Sequence, residues 1–126
     1  MYSITELHEI MTKEQILENF DPSQPGLADA TIFGLPFSAE QSEIIVIPVP
    51  WEVTVSYGSG ASKGPDAVLD ASFQVDLNHQ EFPELWKLGI YLDKAPKELK
   101  KKSKKYKKQA APIIKALESG MILDHH

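Results

Sequence analysis

The stretch that most constrains the fold runs from Ile44 to Asp76 and reads IIVIPVPWEVTVSYGSGASKGPDAVLDASFQVD. It opens with four apolar β-branched residues, Ile44 to Ile47, which predict a buried parallel strand. Prolines at 48 and 50 end that strand because proline has no backbone N–H to donate. A polar, glycine-containing loop follows, and Gly64-Pro65-Asp66 predicts the start of a helix. Strand, loop and helix form half of a βαβ unit, with the loop at the strand end where open α/β sheets bind ligands.

The segments before this stretch predict short helices and an irregular packed segment. Ser3-Ile4-Thr5-Glu6 and Thr12-Lys13-Glu14-Gln15 both match a capping box, so we expect two short helices between Ser3 and Asn19. The apolar patch from Ile32 to Phe37 contains a glycine and a proline and is expected to be irregular and packed onto the domain.

The segments after it predict one strand and a lysine-rich helix. Leu85 to Leu92 is expected to form a second strand. A helix is predicted from Lys97 to Ala111 and is expected to break at Pro112, because proline removes a helical hydrogen bond. A final turn is predicted from Ile113 to Glu118.

Length and composition set the broad class of protein. The chain has 126 residues, enough for one modest domain, with ordinary hydrophobic (42%) and charged (25%) content. No apolar run approaches the ~20 residues that a membrane span needs, and the N-terminus MYSITELHEI lacks the basic region of a secretory signal. The absence of cysteine excludes disulfides, Cys-zinc sites and thiol catalysis. We therefore expect a cytoplasmic protein with no membrane partner.

Charge is divided unevenly along the chain. Residues 1–86 contain two lysines and fourteen acids, whereas eleven of the thirteen lysines lie in residues 87–126. The run KELKKKSKKYKK could bind nucleic acid or an anionic surface, or it could be a solvated helix face. The second interpretation is favoured because the chain has no arginine and the run has one aromatic residue to stack on a base. Nucleic acid is accordingly disfavoured as a partner.

Histidines offer two candidate metal clusters, and neither is favoured. His79 lies near Asp76 and Glu81 in a polar connection, where no rigid element would fix a ligand geometry. Asp124, His125 and His126 are adjacent, and adjacent side chains point in different directions in a helix or strand. The expected number of metal ligands in this chain is therefore none.

The glycine loop also lacks the G-K-S/T of a P-loop and the G-x-G-x-x-G of a dinucleotide site.

The central stretch closely resembles the N-terminal region of the arginase/agmatinase/formimidoylglutamase ureohydrolases, with wording nearest the agmatinase-like branch. The matching elements are a strand ending in Pro48-Val49-Pro50-Trp51, the loop Thr54-Val55-Ser56-Tyr57, then Gly60-Ala61, Gly64-Pro65 and the helix from Ala67 to Asp76. Glu52 stands where relatives have Asp, Glu or a small residue, and Leu69 stands where many have Arg. The resemblance covers Ile44 to Asp76 well and Leu85 to Leu92 more loosely.

The resemblance implies a fold and a chemistry. The implied fold is the N-terminal part of a three-layer α/β/α, mostly parallel, arginase-like sheet, here incomplete. The implied reaction is hydrolysis of a linear amidine or guanidine by a centre of two Mn²⁺ ions. At the strand end, the residues expected to touch a small guanidino or amidino substrate are Thr54, Ser56, Tyr57, Gly58 and Gly60. The alternative is that the glycines only shape the turn and that Tyr57 packs.

The sequence departs from the family in its metal ligands. The family's ligands lie in a G-G-D-H, a D-A-H-x-D and an S-x-D-x-D-x-x-D-P segment, and none of these occurs here. We therefore expect the first third or so of such an enzyme, inactive by itself. It is expected to be one partial domain, with a lead-in (1–43), a strand–loop–helix–strand part (44–93) and a lysine-rich end (94–126). With so few strands, we expect it to be marginally stable or self-associating.

Two other hypotheses remain open. The lysine helix could make the chain a non-catalytic module that binds an anionic partner. Alternatively, the chain could be a structural subunit that adds its strands to a full-length ureohydrolase subunit or to a second copy of itself.

Overall fold

The structure is a computed structural model that describes residues 10–26, 30–55 and 58–120. Its elements, in chain order, are helix α1 (Lys13–Asn19), strand β1 (Ile44–Val46), helix α2 (Gly64–Ser72), strand β2 (Ile90–Leu92) and helix α3 (Lys97–Glu118). Short 3-10 turns occur at Ile32–Gly34, Ala61–Lys63 and Leu85–Leu88. The chain divides into a first unit, Met1–Pro48 with Asp66–Lys94, and a second unit, Val49–Pro65 with Ala95–His126.

The two strands form a parallel pair in the first unit. Ile44 lies opposite Ile90, and Val46 lies opposite Leu92. The predicted α/β class is thereby confirmed, and so is the parallel orientation of the two predicted strands. Both strands are shorter than expected. In particular, the N-terminal half of the predicted second strand forms the 3-10 turn at Leu85–Leu88, and Gly89 at φ +74° separates that turn from β2.

The expectation that the first strand is buried is wrong. Ile44 and Ile45 are 42% and 43% exposed, and Ile47, just beyond the strand, is 65% exposed. A parallel strand is normally buried on both faces by covering helices and flanked by further strands. In the described residues β1 has a single strand neighbour, so its apolar side chains remain partly open to solvent.

The core of the first unit is apolar and built largely from irregular backbone. Leu35 is fully buried, and Ile16, Phe37 and Trp86 are 2–6% exposed. The Trp86 ring lies 5.2 Å from that of Phe20 and 6.5 Å from that of Phe37, within the range of favourable aromatic pairs. The expectation of an irregular, packed segment from Ile32 to Phe37 is confirmed.

Helix α1 begins at the capping box that its sequence predicts. The Thr12 Oγ1 accepts the N–H of Gln15 at 3.3 Å, and the Gln15 Oε1 accepts the N–H of Thr12 at 2.9 Å. These two bonds satisfy backbone donors that the first helical turn leaves free. The other predicted box, Ser3 to Glu6, and its helix lie outside the described residues.

A close backbone approach fixes the 3-10 turn at the start of the packed segment. Gly34 has φ +68°, and a Cβ placed on it would lie 2.6 Å from the Cα of Gly26. The neighbouring Phe33 also has a positive φ, 63°, and its N–H donates to the buried Ser72 Oγ at 2.9 Å. That serine is the last residue of α2, so the bond ties the packed segment to the end of the helix.

Helix α3 runs without a break from Lys97 to Glu118, and the expected interruption at Pro112 is wrong. Pro112 removes the N–H that would reach the carbonyl of Lys108. Both residues are exposed, so water can hydrate that carbonyl and the helix continues. No helix within the described residues has the length and apolarity needed to cross a membrane.

Candidate functional site: the Glu52 cluster

The loop of the second unit is organised around a buried carboxylate. The side chain of Glu52 is 2% exposed, and it is the one acidic residue that is buried in the described part of the chain. Pro50, two residues before it, is also buried. A carboxylate this well shielded from water needs a full set of donors, because burying an unpaired charge is very unfavourable.

The loop itself supplies three of those donors. The Glu52 Oε2 accepts the backbone N–H groups of Gly60 at 2.8 Å and of Ser62 at 3.0 Å. The Glu52 Oε1 accepts the hydroxyl of Ser59 at 2.6 Å. These bonds bring residues 59–62 back to Glu52. We refer to Glu52, Ser59, Gly60, Ser62, Ser103 and Lys107 as the Glu52 cluster.

Helix α3 supplies the remaining contacts from two residues one turn apart. The buried Ser103 Oγ accepts the backbone N–H of Glu52 at 2.9 Å. The Lys107 ammonium donates to the Glu52 Oε1 and also, at 2.7 Å, to the Ser59 Oγ. Positions four apart lie on one helix face, so a single face reaches both the main chain and the side chain of Glu52. Close by, the ring of Trp51 lies 6.1 Å from that of Tyr106.

Hydrogen bonds to the charged form set the ionisation of Glu52. The Lys107 ammonium, followed by the Ser59 hydroxyl and the N–H groups of Ser62 and Gly60, lowers the pKa of Glu52 far below its usual 4.5. These contacts favour the ionised carboxylate in the folded protein.

This ionisation decides what the cluster can do chemically. A serine beside a lysine can act as a nucleophile with its base, but the lysine must then be neutral. Here the Ser59 hydroxyl donates to the Glu52 Oε1, and its Oγ accepts a hydrogen bond from Lys107, so Lys107 is not placed to take the proton of Ser59. Glu52 is itself a poor base because its pKa is so low. The cluster is suited to holding a cation, and not to acyl transfer.

The predicted substrate-contacting residues lie in or beside this loop. Thr54 is exposed, and Gly58 is exposed with φ +64° and open space where a Cβ would be. Gly60, at φ +141°, is the one that the structure brings into the Glu52 cluster, through its N–H. Ser56 and Tyr57 lie outside the described residues. Contact of these residues with a substrate stays a prediction.

Sequence reasoning missed the residues that hold the loop. Glu52 was considered only as a family variant, and Ser103 and Lys107 only as members of a lysine-rich run. One signal was available: Ser103 follows the half-buried Leu99 by four residues and precedes Lys107 by four, on the same apolar seam of α3. A small polar residue and a lysine on that seam indicate buried polar contacts.

The described residues do not fit the two manganese ions that the family resemblance implies. No group of three His, Asp or Glu side chains in the described part of the chain is placed to hold a metal ion. Glu52, the buried acid, already has a cation and three other donors, and the charge of Lys107 would repel a dication.

His79 is exposed, and its Nδ1 accepts the N–H groups of Glu81 and Phe82 at 3.3 and 3.2 Å. The candidate ligands Asp124, His125 and His126 lie outside the described residues.

The first unit has an open cavity of about 450 Å³ between the segments 22–26 and 73–78, with Phe33 in its wall. Asp76 is the charged residue of its lining, and the Asp76 carboxylate accepts the N–H of Asn78 at 2.8 Å. That surface offers no convergent set of polar groups comparable with the Glu52 cluster.

Comparisons with known proteins give one local similarity. The chain is 39% identical over 56 residues to the N(1)-aminopropylagmatine ureohydrolase of Synechocystis sp.. The match covers 43% of this chain and only 18% of the relative. No family model matches the chain, and no solved structure matches it. The similarity supports a local link to ureohydrolases, and the helices with their parallel strand pair are consistent with an incomplete part of an arginase-like α/β fold.

Proposed function

We propose that this chain is part of an agmatinase-like ureohydrolase, which hydrolyses a C–N bond of a linear amidine or guanidine at a pair of Mn²⁺ ions. The observation that carries the proposal is the 39% identity over 56 residues to N(1)-aminopropylagmatine ureohydrolase. A cytoplasmic location belongs to the same proposal, because a chain without cysteine fits a reducing compartment.

In this proposal the loop of the second unit forms one wall of the substrate pocket. It follows β1 at the carboxyl end of a parallel strand, where α/β sheets bind ligands. The bonds from Gly60 and Ser62 to Glu52 fix the later part of the loop. Thr54, Ser56, Tyr57, Gly58 and Gly60 are the residues that would contact the guanidino or amidino substrate.

The chain alone is proposed to be inactive. Two bridged divalent ions need several carboxylates and histidines at sheet edges, and the family's three ligand segments are missing from the sequence. The test is to incubate the purified chain with Mn²⁺ and either agmatine or N(1)-aminopropylagmatine and to measure released urea. We expect none, and metal-dependent turnover would contradict this part of the proposal.

A chimera tests the family assignment directly. In the chimera, the 56-residue segment of this chain that matches the Synechocystis enzyme replaces the corresponding segment of that enzyme. Urea release is then measured with saturating Mn²⁺. We expect the chimera to keep activity, because an equivalent segment supplies an equivalent pocket wall. A chimera that folds, binds manganese and has lost all turnover would argue against the proposal. The unmodified Synechocystis enzyme is the positive control.

A non-catalytic alternative rests on helix α3. Six lysines of its N-terminal half are exposed, at positions 97, 100, 101, 102, 104 and 105. In this alternative they would bind an anionic partner, with affinity that falls steeply as salt rises. Retention on heparin at low salt, lost when Lys101, Lys102, Lys104 and Lys105 are changed to Ala, would favour it. Equal elution of the two proteins would exclude it.

A second alternative rests on the exposed isoleucines of β1. A strand from a full-length ureohydrolase subunit, or from a second copy of this chain, would pair with the edge of β1 and partly shield these side chains. Size-exclusion chromatography with and without the Synechocystis enzyme distinguishes these partners. A monomer that elutes alone in both runs would exclude this alternative.

A further inference from the structure

The ammonium group of Lys107 contacts Glu52 in the way that a bound ligand would. Its ammonium donates one hydrogen bond to the Glu52 Oε1 and one to the Ser59 Oγ, while the Glu52 Oε2 is held separately by the N–H groups of Gly60 and Ser62. The loop therefore fixes Oε2 with two N–H groups, whereas Oε1 accepts one hydroxyl, that of Ser59, and beside it a cation.

The two partners differ in how firmly they are held. The Glu52 side chain is 2% exposed, whereas the side chain of Lys107 is 41% exposed. The acceptor is thus fixed and shielded, and the cation reaches it from the solvent side on a long, rotatable stem. Removing the cation would leave the carboxylate buried with three donors and with an open position in front of Oε1.

We propose that Glu52 and Ser59 form a binding site for a primary alkylammonium group, which Lys107 fills from within the chain. The ligand class follows from the geometry: a compact –NH₃⁺ can donate to the carboxylate and to the hydroxyl at once. A quaternary ammonium has no N–H to donate, so it would lose both bonds. Lys107 then acts as an internal competitor of amine ligands. Binding of an amine requires no catalysis, so this inference stands apart from the proposed function.

Intramolecular competition predicts how the native chain behaves. A tethered group has an effective concentration in the millimolar range or higher, so free amines at lower concentrations do not displace it. We therefore expect the native chain to bind n-butylammonium, the analogue of the lysine side chain, only weakly. Replacement of Lys107 by Ala opens the site to the free amine.

The experiment is an NMR titration of the full chain with n-butylammonium chloride. The reporters are the amide signals of Gly60 and Ser62, because both groups donate to Glu52. In Lys107→Ala we expect saturable shifts of these signals in the millimolar range, and in the native chain a half-saturation at least about tenfold higher. Lys104→Ala, which removes an exposed lysine of the same helix, is the matched control and should behave like the native chain.

Two further samples test the carboxylate and the chemistry of the cation. In Lys107→Ala/Glu52→Gln, half-saturation should rise by at least about tenfold relative to Lys107→Ala, because a neutral amide replaces the charged acceptor. Tetramethylammonium and n-butanol should cause no saturable shift in Lys107→Ala, since one lacks N–H donors and the other lacks the charge.

The design remains decisive if the loop of Lys107→Ala is disordered without a cation. In that case n-butylammonium should restore the Gly60 and Ser62 signals and raise the midpoint of thermal unfolding, because a ligand that binds the folded state stabilises it. Tetramethylammonium chloride at equal concentration should not. Absence of both saturable shifts and stabilisation in Lys107→Ala would overturn the proposal, as would equal effects of the two cations.

Discussion

The interiors of the two units are dominated by different kinds of interaction. In the first unit the buried side chains Ile16, Leu35, Phe37 and Trp86 are apolar. In the second unit the buried side chains of Glu52 and Ser103 are polar, and a charge lies at the centre. Apolar packing is non-directional and insensitive to pH, whereas the Glu52 cluster depends on donors at fixed positions and on ionisation. The units should therefore fail under different conditions.

The largest effect should come from the core of the first unit. Trp86→Ala removes a side chain that packs between two rings, and we expect a loss of about 3–5 kcal/mol in the free energy of unfolding. Urea unfolding followed by far-UV circular dichroism measures it. Leu85→Ala, in the same 3-10 turn but 46% exposed, is the control and should cost much less. Similar losses in the two variants would contradict the assigned core.

A pair of glycines separates backbone strain from steric contact across the two units. Gly34→Ala places a Cβ 2.6 Å from the Cα of Gly26, whereas Gly58→Ala has nearly the same φ and meets nothing within 4 Å. We expect Gly58→Ala to cost about 1–2 kcal/mol from the left-handed conformation alone, and Gly34→Ala to cost more. Thermal or urea unfolding of both variants measures the two losses of stability. Equal losses would show that the contact with Gly26 makes no steric contribution.

Glu52→Gln should loosen the loop and leave the core of the first unit intact. The amide keeps the shape of the side chain and removes the charge that Lys107 contacts. We expect hydrogen exchange at Gly60 and Ser62 to accelerate at least about tenfold, because bonds to a charged acceptor are the stronger ones. Exchange at Leu35 and Phe37 should be unchanged. Glu98→Gln, which breaks an exposed pair with Lys101, is the control. Faster exchange at Gly60 and Ser62 in this control as well would argue against a specific role of Glu52.

Acid should affect the second unit more than the first. Because the pKa of Glu52 is lowered in the folded protein, the unfolded chain takes up this proton first as pH falls through the usual value of 4.5. The stability that the carboxylate contributes is complete above that value and is lost below it. The indole N–H signals of Trp51 and Trp86 report the second and first units separately in an NMR pH titration. Loss of the Trp86 signal before that of Trp51 would reverse the comparison.

The first unit also contains carboxylates with lowered pKa, and they set the background of that titration. In each, a backbone N–H hydrogen bond is the main cause; the residues are Glu14, Asp21 and Glu40. All three are exposed, so their contributions to stability are screened by solvent.

The smallest effect should come from the exposed ion pair on α3. Lys101→Ala removes a pair with Glu98 in which both side chains are 73% exposed, and we expect a change of about 0.5 kcal/mol or less. Lys107→Ala, on the same helix, should destabilise the second unit more, because its partner is buried. Thermal unfolding of both variants tests this ranking, and equal midpoints would contradict it.

Local patterns account for the parts of the fold that sequence reasoning predicted. The capping box at Thr12, the helix start at Gly64 and the order of strand, loop, helix and strand depend on neighbouring residues or on hydrophobic period. The parallel pairing follows from the βαβ pattern, because such a crossover brings two strands side by side in the same direction. That this loop contacts a substrate stays a prediction.

Long-range contacts account for what was missed. Glu52 meets Ser103 and Lys107 across 51 and 55 residues, and no local pattern predicts which lysine of a run will face a buried acid. The exposure of β1 depends on which strands flank it and which helices cover it. The hydrophobic pattern of the strand alone does not reveal this. Helix α3 continues through Pro112 because that side of the helix is exposed to solvent. Which side is exposed depends on which face of the helix packs, and the sequence alone does not show this.

The spacing of the Glu52 contacts also bears on the order in which the second unit assembles. Ser59, Gly60 and Ser62 lie 7 to 10 residues from Glu52, so the loop can close as soon as that short segment has left the ribosome. Lys107 is synthesised much later, and the N-terminal parts of a chain are free to fold first. Until α3 arrives, the carboxylate has its three loop donors and no cation. The second unit should therefore assemble in two steps, a fast local closure and a later docking of the helix.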